Sequence, residues 1–326
     1  MSLKDNIDKL ELRINKIFTK TFNINNEKEN IDLNIPIYKS KKREEIINKN
    51  ILKKKILLFT GGGVKGIVYV GVLRALEKFN LIKNIHTYVG TSIGSLVITM
   101  YLLGYNSLEM EKFLLHFDLN SLKSMNFLIF LKEYGLDRGE KIEYLLKRLI
   151  VAKGYNENIT LIELYKICGI KFIITTVNLN ALNTCYLSYE TNPDLKLLLA
   201  IRMSMSIPLY YTPVIYKDEY YIDGACMDNY PITLFENNLQ ETLGFYICSS
   251  SNGIINKFNN IEEYVFRVLC SLWEGNDYNC IRSYRKYTVS LMLNNISMLD
   301  FGLSSEKIKE IINYGFSETR NYIISK

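Results

Sequence analysis

The amino-acid sequence predicts an α/β fold of three layers, α/β/α, around a central, mostly parallel sheet. Three observations predict it. The chain of 326 residues is 48% hydrophobic and 23% charged, the balance of a globular protein with a sizeable core. Segments 55–76 and 86–103 each read as a short apolar strand, a glycine-containing turn and an apolar helix. Strand and helix alternating through tight turns is the pattern of a parallel sheet covered by helices.

The elements follow in order. Ile7, Leu10, Ile14, Ile17 and Phe18 recur at helical spacing among charges, so residues 4–22 read as an amphipathic helix whose first expected use is docking on the domain. Residues 23–52 are polar and rich in Asn, Lys and Glu, a linker with some helix. Lys55 to Thr60 is a β run ending in Gly61-Gly62-Gly63, and a helix follows through Val70, Leu73, Ala75 and Leu76. His86 to Val89 is a second strand; the helix after Ser92 runs to about Leu103, where Gly104 stops it. The middle, about 106–168, is mostly helical, with the Phe127-Leu128-Ile129-Phe130 cluster expected to lie in a core helix and, as the second reading, in a flap over an apolar groove. Lys171–Val177 and Thr184–Tyr189 read as strands, and Leu195–Met205 as a helix stopping before Pro208. Val214–Tyr216 and Tyr220–Ile222 flank a hairpin turn at Lys217-Asp218-Glu219. Thr242–Cys248 and Tyr287–Leu293 are late strands, and a closing helix over 304–324 has Ser305 as its expected cap.

Composition excludes several classes. The first 22 residues are charged from the start and carry no apolar signal core, which favours a cytoplasmic protein. The longest uncharged apolar run, Tyr88 to Asn106, is broken by glycines and reads as a buried helix after a tight turn, not a membrane span. Six scattered cysteines without a C-x-x-C pair read as reduced thiols, neither disulfides nor a metal site. The net charge of +6 has a local excess at Lys39, Lys41, Lys42, Arg43, Lys49, Lys53, Lys54 and Lys55. A solvated linker is the first reading, attraction to an anionic lipid surface the second. Nucleic acid is not expected, because no recognition motif accompanies the charge.

Three motifs carry chemistry. Gly61-Gly62-Gly63-Val64-Lys65-Gly66 stands between a strand and a helix, where glycines leave backbone N–H groups free to face a phosphate or an oxyanion. It also satisfies the dinucleotide fingerprint, which demands an acidic residue about 20 positions on. Lys83, Asn84, Ile85 and His86 stand there instead, so no nucleotide cofactor is expected. Gly90-Thr91-Ser92-Ile93-Gly94 is a G-x-S-x-G turn that would present Ser92 as a nucleophile, with the Ile93 N–H adding to donors at Gly62, Gly63 and Val64. Such a serine needs a base, yet the chain holds only two histidines, His86 and His116, and neither follows Ser92 at the late position a triad requires. His86 opens the strand that ends at the turn, and His116 lies beside Phe113, Leu114 and Phe117, a structural setting. The third motif, Asp223-Gly224-Ala225, supplies the remaining partner. An aspartate of ordinary pKa near 3.9 is a weak base for an alcohol; partial burial would raise it, and each oxyanion donor is worth about 3 kcal/mol of barrier. Acyl transfer through an acyl-enzyme on Ser92, with Asp223 as proton acceptor, uses all three parts.

The three motifs in this order resemble the patatin-like phospholipases, whose glycine loop, G-x-S-x-G elbow and D-G-A/G aspartate they match. Ile201 to Pro208 and Asp223 to Pro231 resemble the family's flanking segments, and the likeness spans residues 55–236. Thr60 stands where many members carry aspartate, and Lys65 where arginine is commoner. The resemblance implies a six-stranded central sheet and a Ser-Asp dyad acyl hydrolase of phospholipids or lysophospholipids, working without metal or calcium. It also implies a catalytic domain at 55–236, with residues 1–54 as a helix and basic linker and 237–326 completing the same domain. The alternative is a catalytically idle lipid-binding or interaction protein on the same fold.

Overall fold

The computed structural model of the chain describes residues 3–22, 47–248, 257–258, 261–294 and 296–325. After α1 (Leu3–Phe22) come β1 (Ile56–Phe59), α2 (Val68–Lys78), β2 (Thr87–Thr91), α3 (Ile93–Leu102) and α4 (Ser107–His116). The middle adds α5 (Phe127–Glu133), β3 (Gly135–Asp137), α6 (Glu140–Ala152), α7 (Leu161–Cys168), β4 (Lys171–Asn178) and β5 (Asn183–Leu187). The chain continues with α8 (Leu197–Ser204), β6 (Leu209–Tyr211), β7 (Val214–Tyr216), β8 (Glu219–Asp223), β9 (Thr242–Cys248), α9 (Ile261–Tyr284), β10 (Thr288–Met292) and α10 (Ser305–Ile324). The expected α/β architecture is present: a central, mostly parallel sheet between helices.

Strand β1 shows why the sheet is covered on both sides. Its four residues are all buried, and they alternate between two clusters. Leu57 and Phe59 join the larger core with α2, α3, α4, α6 and α10, whereas Ile56 and Leu58 join Tyr230, Ile232 and Tyr246 beneath residues 232–241 and the end of α9. A strand buried on both faces must read as a continuous apolar run, which Ile56-Leu57-Leu58-Phe59 does.

β10, β9, β1, β2 and β4 run parallel in that order, and β5 is antiparallel to β4. Among the described residues the full sheet has eight strands where the resemblance implied six. The hairpin β7–β8 supplies two of them, in an informative place. Residues Ile174 and Thr175 of β4 pair with β2 on one side and β5 on the other, while Thr176 to Asn178 pair with β8 and β5. β2 and β8 therefore share one edge of β4 and approach each other end to end. Thr91 lies opposite Thr175 and Asp223 opposite Thr176.

Several details differ from the sequence reading. The cap of α10 is Ser304, whose side chain accepts from the Lys307 N–H, and not Ser305. A small separate sheet, β3 with β6, was not expected. None of the residues of α5 is buried: Phe127, Leu128 and Leu131 are 69%, 83% and 85% exposed, so this is no core helix. Leu10 and Ile14 of α1 are buried against the domain, as docking requires. In the basic stretch, the buried Lys54 Nζ donates to the Thr242 carbonyl at 2.7 Å, and Lys55 pairs with Glu241, so two of these lysines are structural; Lys39, Lys41, Lys42 and Arg43 lie outside the described residues. All six cysteines are free. Among the described residues no helix is long and apolar enough to cross a membrane.

The closing helix α10 is locked to α2 by close backbone approach. A Cβ on Gly71 would sit 1.9 Å from the Ile312 carbonyl oxygen, and one on Gly315 would sit 2.2 Å from that of Val68. Two effects oppose each other in Gly71→Ala. Helix propensity favours alanine by about 1 kcal/mol, but overpacking this close to a backbone lies at the upper end of its range, about 2–3 kcal/mol, because neither helix can move alone. Overpacking wins. Urea unfolding should show Gly71→Ala less stable than the wild type by about 1–2 kcal/mol; a gain in stability would mean the helices are not in contact here.

Candidate active site

Ser92 occupies the turn between β2 and α3 with φ 52° and ψ −124°, a strained conformation for a residue with a side chain. The turn is this sharp because its flanks are glycine: a Cβ on Gly94 would lie 2.4 Å from the Phe59 carbonyl oxygen, and one on Gly90 would lie 2.5 Å from the Ser95 Cα. Side chains hold the turn as well. The Ser92 N–H donates to Ser204 Oγ at 2.8 Å, Ser204 donates to the Thr175 carbonyl at 2.7 Å, and Ser95 Oγ donates to the Ser92 carbonyl at 2.6 Å. Ser204, at the end of α8, thus ties the turn to β4; sequence reasoning did not single it out.

Asp223 ends β8 beside Ser92, with Gly224 so close to β4 that a Cβ there would lie 2.4 Å from the Thr175 carbonyl oxygen. Its N–H donates to the Ser206 carbonyl at 2.9 Å, and its Oδ1 accepts the Ala225 N–H at 2.9 Å. The buried Arg202 sets Ser206 by donating to its Oγ at 2.6 Å. The Asp223 carboxyl is buried. Burial pushes its pKa up to about 7, while hydrogen bonding from the Ser92 hydroxyl and the Ala225 N–H pulls the other way. That is the condition of a carboxylate able to take a proton near neutral pH.

The glycine loop reaches the same place. Thr60 anchors it: Oγ1 accepts the Ile247 N–H at 3.1 Å and lies 3.0 Å from the Tyr69 hydroxyl, which donates to the Thr60 carbonyl. Asn229 Oδ1 accepts the Gly61 N–H at 2.7 Å, a second clamp that the sequence did not reveal. Gly63 has φ 56° and lies against the Met298 carbonyl, where any side chain would collide. Gly66 packs on the Ile93 side chain, joining loop and elbow. One expected donor is lost. The Val64 N–H donates to the Met298 carbonyl at 2.9 Å, so it is not available to an oxyanion in this conformation. Among the described residues, the N–H groups of Gly62, Gly63 and Ile93 have no protein partner.

Two cavities meet at Ser92. The wider, about 540 Å³, is lined by the glycine loop, Asp223, β9 and the α9 side, including Trp273, Arg282 and Arg285. The narrower, about 130 Å³, is lined almost wholly by apolar side chains of α3, α4 and α6, with Leu119, Leu122 and Phe301. Gly63, Ser92, Ile207 and Met298 line both. The arrangement can expose an ester carbonyl to Ser92 with its apolar tail on one side and its polar remainder on the other. His86 is exposed before the far end of β2, and His116 Nδ1 is bound to the Lys112 carbonyl, so neither serves this site. Among the described residues no three His, Cys, Asp or Glu side chains gather as metal ligands.

The sequence profile of the patatin-like phospholipases matches residues 57–235, more than half the chain and all three motifs. The chain belongs to the patatin-like phospholipase family. Membership places it among lipid hydrolases. Protein R571 of Acanthamoeba polyphaga mimivirus is 28% identical over 282 residues, covering 83% of this chain and 94% of its own. The probable lipid hydrolase 463L of Invertebrate iridescent virus 6 is 30% identical over 187 residues, 55% of this chain and 62% of its own. VipD from Legionella pneumophila has a similar fold, with a TM-score of 0.55 at 15% identity over 83% of this chain and 67% of that one. Thr60, which opens the glycine loop, makes the anchoring bonds described above.

The raised Asp223 pKa has a consequence for stability. The folded protein binds this proton more tightly than the unfolded chain, so the contribution is fully present below the unfolded pKa near 3.8 and is lost as pH rises through about 7. Asp223→Asn removes the buried charge. Thermal melts should show the variant gaining on the wild type as pH increases from 4 to 8; a constant difference across that range would refute the buried-carboxylate assignment.

Proposed function

We propose that the protein hydrolyses fatty-acyl esters of phospholipids or lysophospholipids, with Ser92 as nucleophile and Asp223 as its proton acceptor. The meeting of a strained, buried serine with a carboxyl of raised pKa, between an apolar and a polar cavity, carries this reading. Ser92 Oγ gives its proton to Asp223 as it bonds the ester carbonyl carbon. The oxyanion forms toward the N–H groups of Gly62, Gly63 and Ile93, and the alcohol departs with a proton from Asp223. Water, deprotonated by the same carboxylate, then releases the fatty acid from the acyl-enzyme. No metal or cofactor enters these steps.

Two substitutions test it. Ser92→Ala and Asp223→Asn proteins that melt cooperatively should release fatty acid from labelled phospholipid at least about 1,000-fold more slowly than the wild type. Wild-type kcat/KM should rise with pH through about 7, following ionisation of Asp223. Undiminished release in either variant would overturn the Ser92–Asp223 assignment, whereas failure of Ser92 to react with a fluorophosphonate probe would favour an idle lipid-binding protein.

Contact with a lipid surface is part of the proposal, and α5 supports it better than α1, whose Leu10 and Ile14 are buried against the domain. Phe127, Leu128 and Leu131 stand in solvent, and Tyr134 meets Tyr220 edge to face. Tyr220 pairs with the exposed Ile215, and its N–H and carbonyl bond the β4–β5 turn, which carries the exposed Leu182. Burying each such side chain in lipid gains about 1.5–3 kcal/mol. The segment entering α5 carries Leu119 and Leu122, which line the narrow cavity, so a surface bound there would adjoin the acyl path. Leu128→Asp with Leu131→Asp should weaken sedimentation with phospholipid vesicles at least about tenfold while leaving hydrolysis of a water-soluble ester intact. Unaltered vesicle binding would place the contact elsewhere.

A further inference from the structure

The wide cavity carries an unusual charge balance. Lys65, Arg282 and Arg285 line it, and among the described residues the one acid that does so is the buried Asp223. Arg282 stands near the end of α9 and Arg285 in the turn after it, one helical turn apart and so on one face. The backbone bearing them is pinned. Cys280 Sγ donates to the Tyr230 carbonyl at 3.8 Å, Tyr284 Oη to Glu236 at 2.6 Å, and Thr288 Oγ1 to the Tyr284 carbonyl at 2.9 Å. Neither guanidinium is used in that scaffolding; both are exposed, and among the described residues neither has an ion-pair partner. The same cavity is walled by Ile207, Ile247 and Trp273, whose low polarity strengthens any charge pairing made against them.

Two planar cations on one face, facing a cavity that opens onto a nucleophile, suit a tetrahedral oxyanion, since guanidinium forks match phosphate oxygens in pairs. The narrow cavity leaving the same serine holds no charged lining residue and takes only hydrocarbon. We infer that Arg282 and Arg285 bind the phosphate group of a phospholipid or lysophospholipid in the wide cavity while its acyl chain fills the narrow one. Specificity follows as a difference of affinities. A monoacylglycerol presents the same ester and chain but leaves both arginines unanswered, so it is the poorer ligand. The orientation rests on Ser92 as the attacking group; the phosphate contact itself does not, and the two can fail separately.

Binding to the Ser92→Ala protein isolates the contact from catalysis. The probes are an ether-linked lysophosphatidylcholine and an alkylglycerol of the same chain, both below their micelle concentrations, with inorganic phosphate as a third. The lysophospholipid should bind at least tenfold more tightly than the alkylglycerol. Arg282→Ala and Arg285→Ala should each weaken it about tenfold and together about 100-fold, with alkylglycerol affinity changed less than about threefold. Arg285→Lys should recover part of the loss, because charge returns without the fork. Equal affinity for the two lipids, equal loss for both in the double variant, or no loss for either would overturn the inference. Inorganic phosphate binding as tightly as the lysophospholipid would also overturn it, marking a site for free phosphate. Should these ratios hold while the wild type hydrolyses no ester, the nucleophile reading would fall and the phosphate site would stand.

Discussion

The site depends on one pairing constraint, the shared edge of β4. Because Thr91 pairs with Thr175 and Asp223 with Thr176 on that edge, strands arriving from opposite directions end facing each other. The serine and the carboxyl are 131 positions apart in sequence, yet backbone hydrogen bonds bring them together within one residue of register. A slip of one residue in β8 would turn the Asp223 side chain to the other face of the sheet. Helix α8 secures the same point from behind. Ser204 takes the Ser92 N–H and Ser206 takes the Asp223 N–H, so one helix end fixes both partners. The run Ile201-Arg202-Met203-Ser204-Met205-Ser206 is therefore a brace, with Arg202 as its buried strut.

Burial gives the Asp223 carboxyl the basicity that the proposed reaction needs, and it carries a cost. An aspartate in water holds its proton too weakly to serve an alcohol, whereas removal from water makes the charged form expensive. Among the described residues two partners offset that expense, the Ser92 hydroxyl and the Ala225 N–H, and desolvation remains the larger influence. A histidine would obtain the same basicity without burial, which is why its absence from this site and the depth of Asp223 belong together.

Much of the fold was legible in the sequence because it rests on local pattern. The apolar tetrad of β1, the glycine-flanked elbow and the hairpin around Lys217 and Asp218 each announce themselves within a few residues, and the latter two residues indeed take positive φ. What was not legible depends on distant neighbours. Whether Phe127 to Phe130 is core or surface is decided by what packs on it, and the packing among the described residues buries none of the four. Periodicity alone cannot separate those cases. The Val64 donor looked free until the Met298 carbonyl, 234 positions on, took it. Asn229 and Thr60 carry no signature as loop clamps; their roles arise from geometry that no spacing rule encodes.

The Val64–Met298 bond also has a meaning in time. Met298 shapes the glycine loop with its carbonyl and lines both cavities, and it lies just ahead of α10, the helix that locks onto α2. A ribosome has made Ser92, the loop and Asp223 long before it reaches this segment. Until it does, the nascent chain holds the serine, the loop and the aspartate but lacks the Met298 wall that both cavities share. The bounded space is complete only once the segment ahead of α10 has been made.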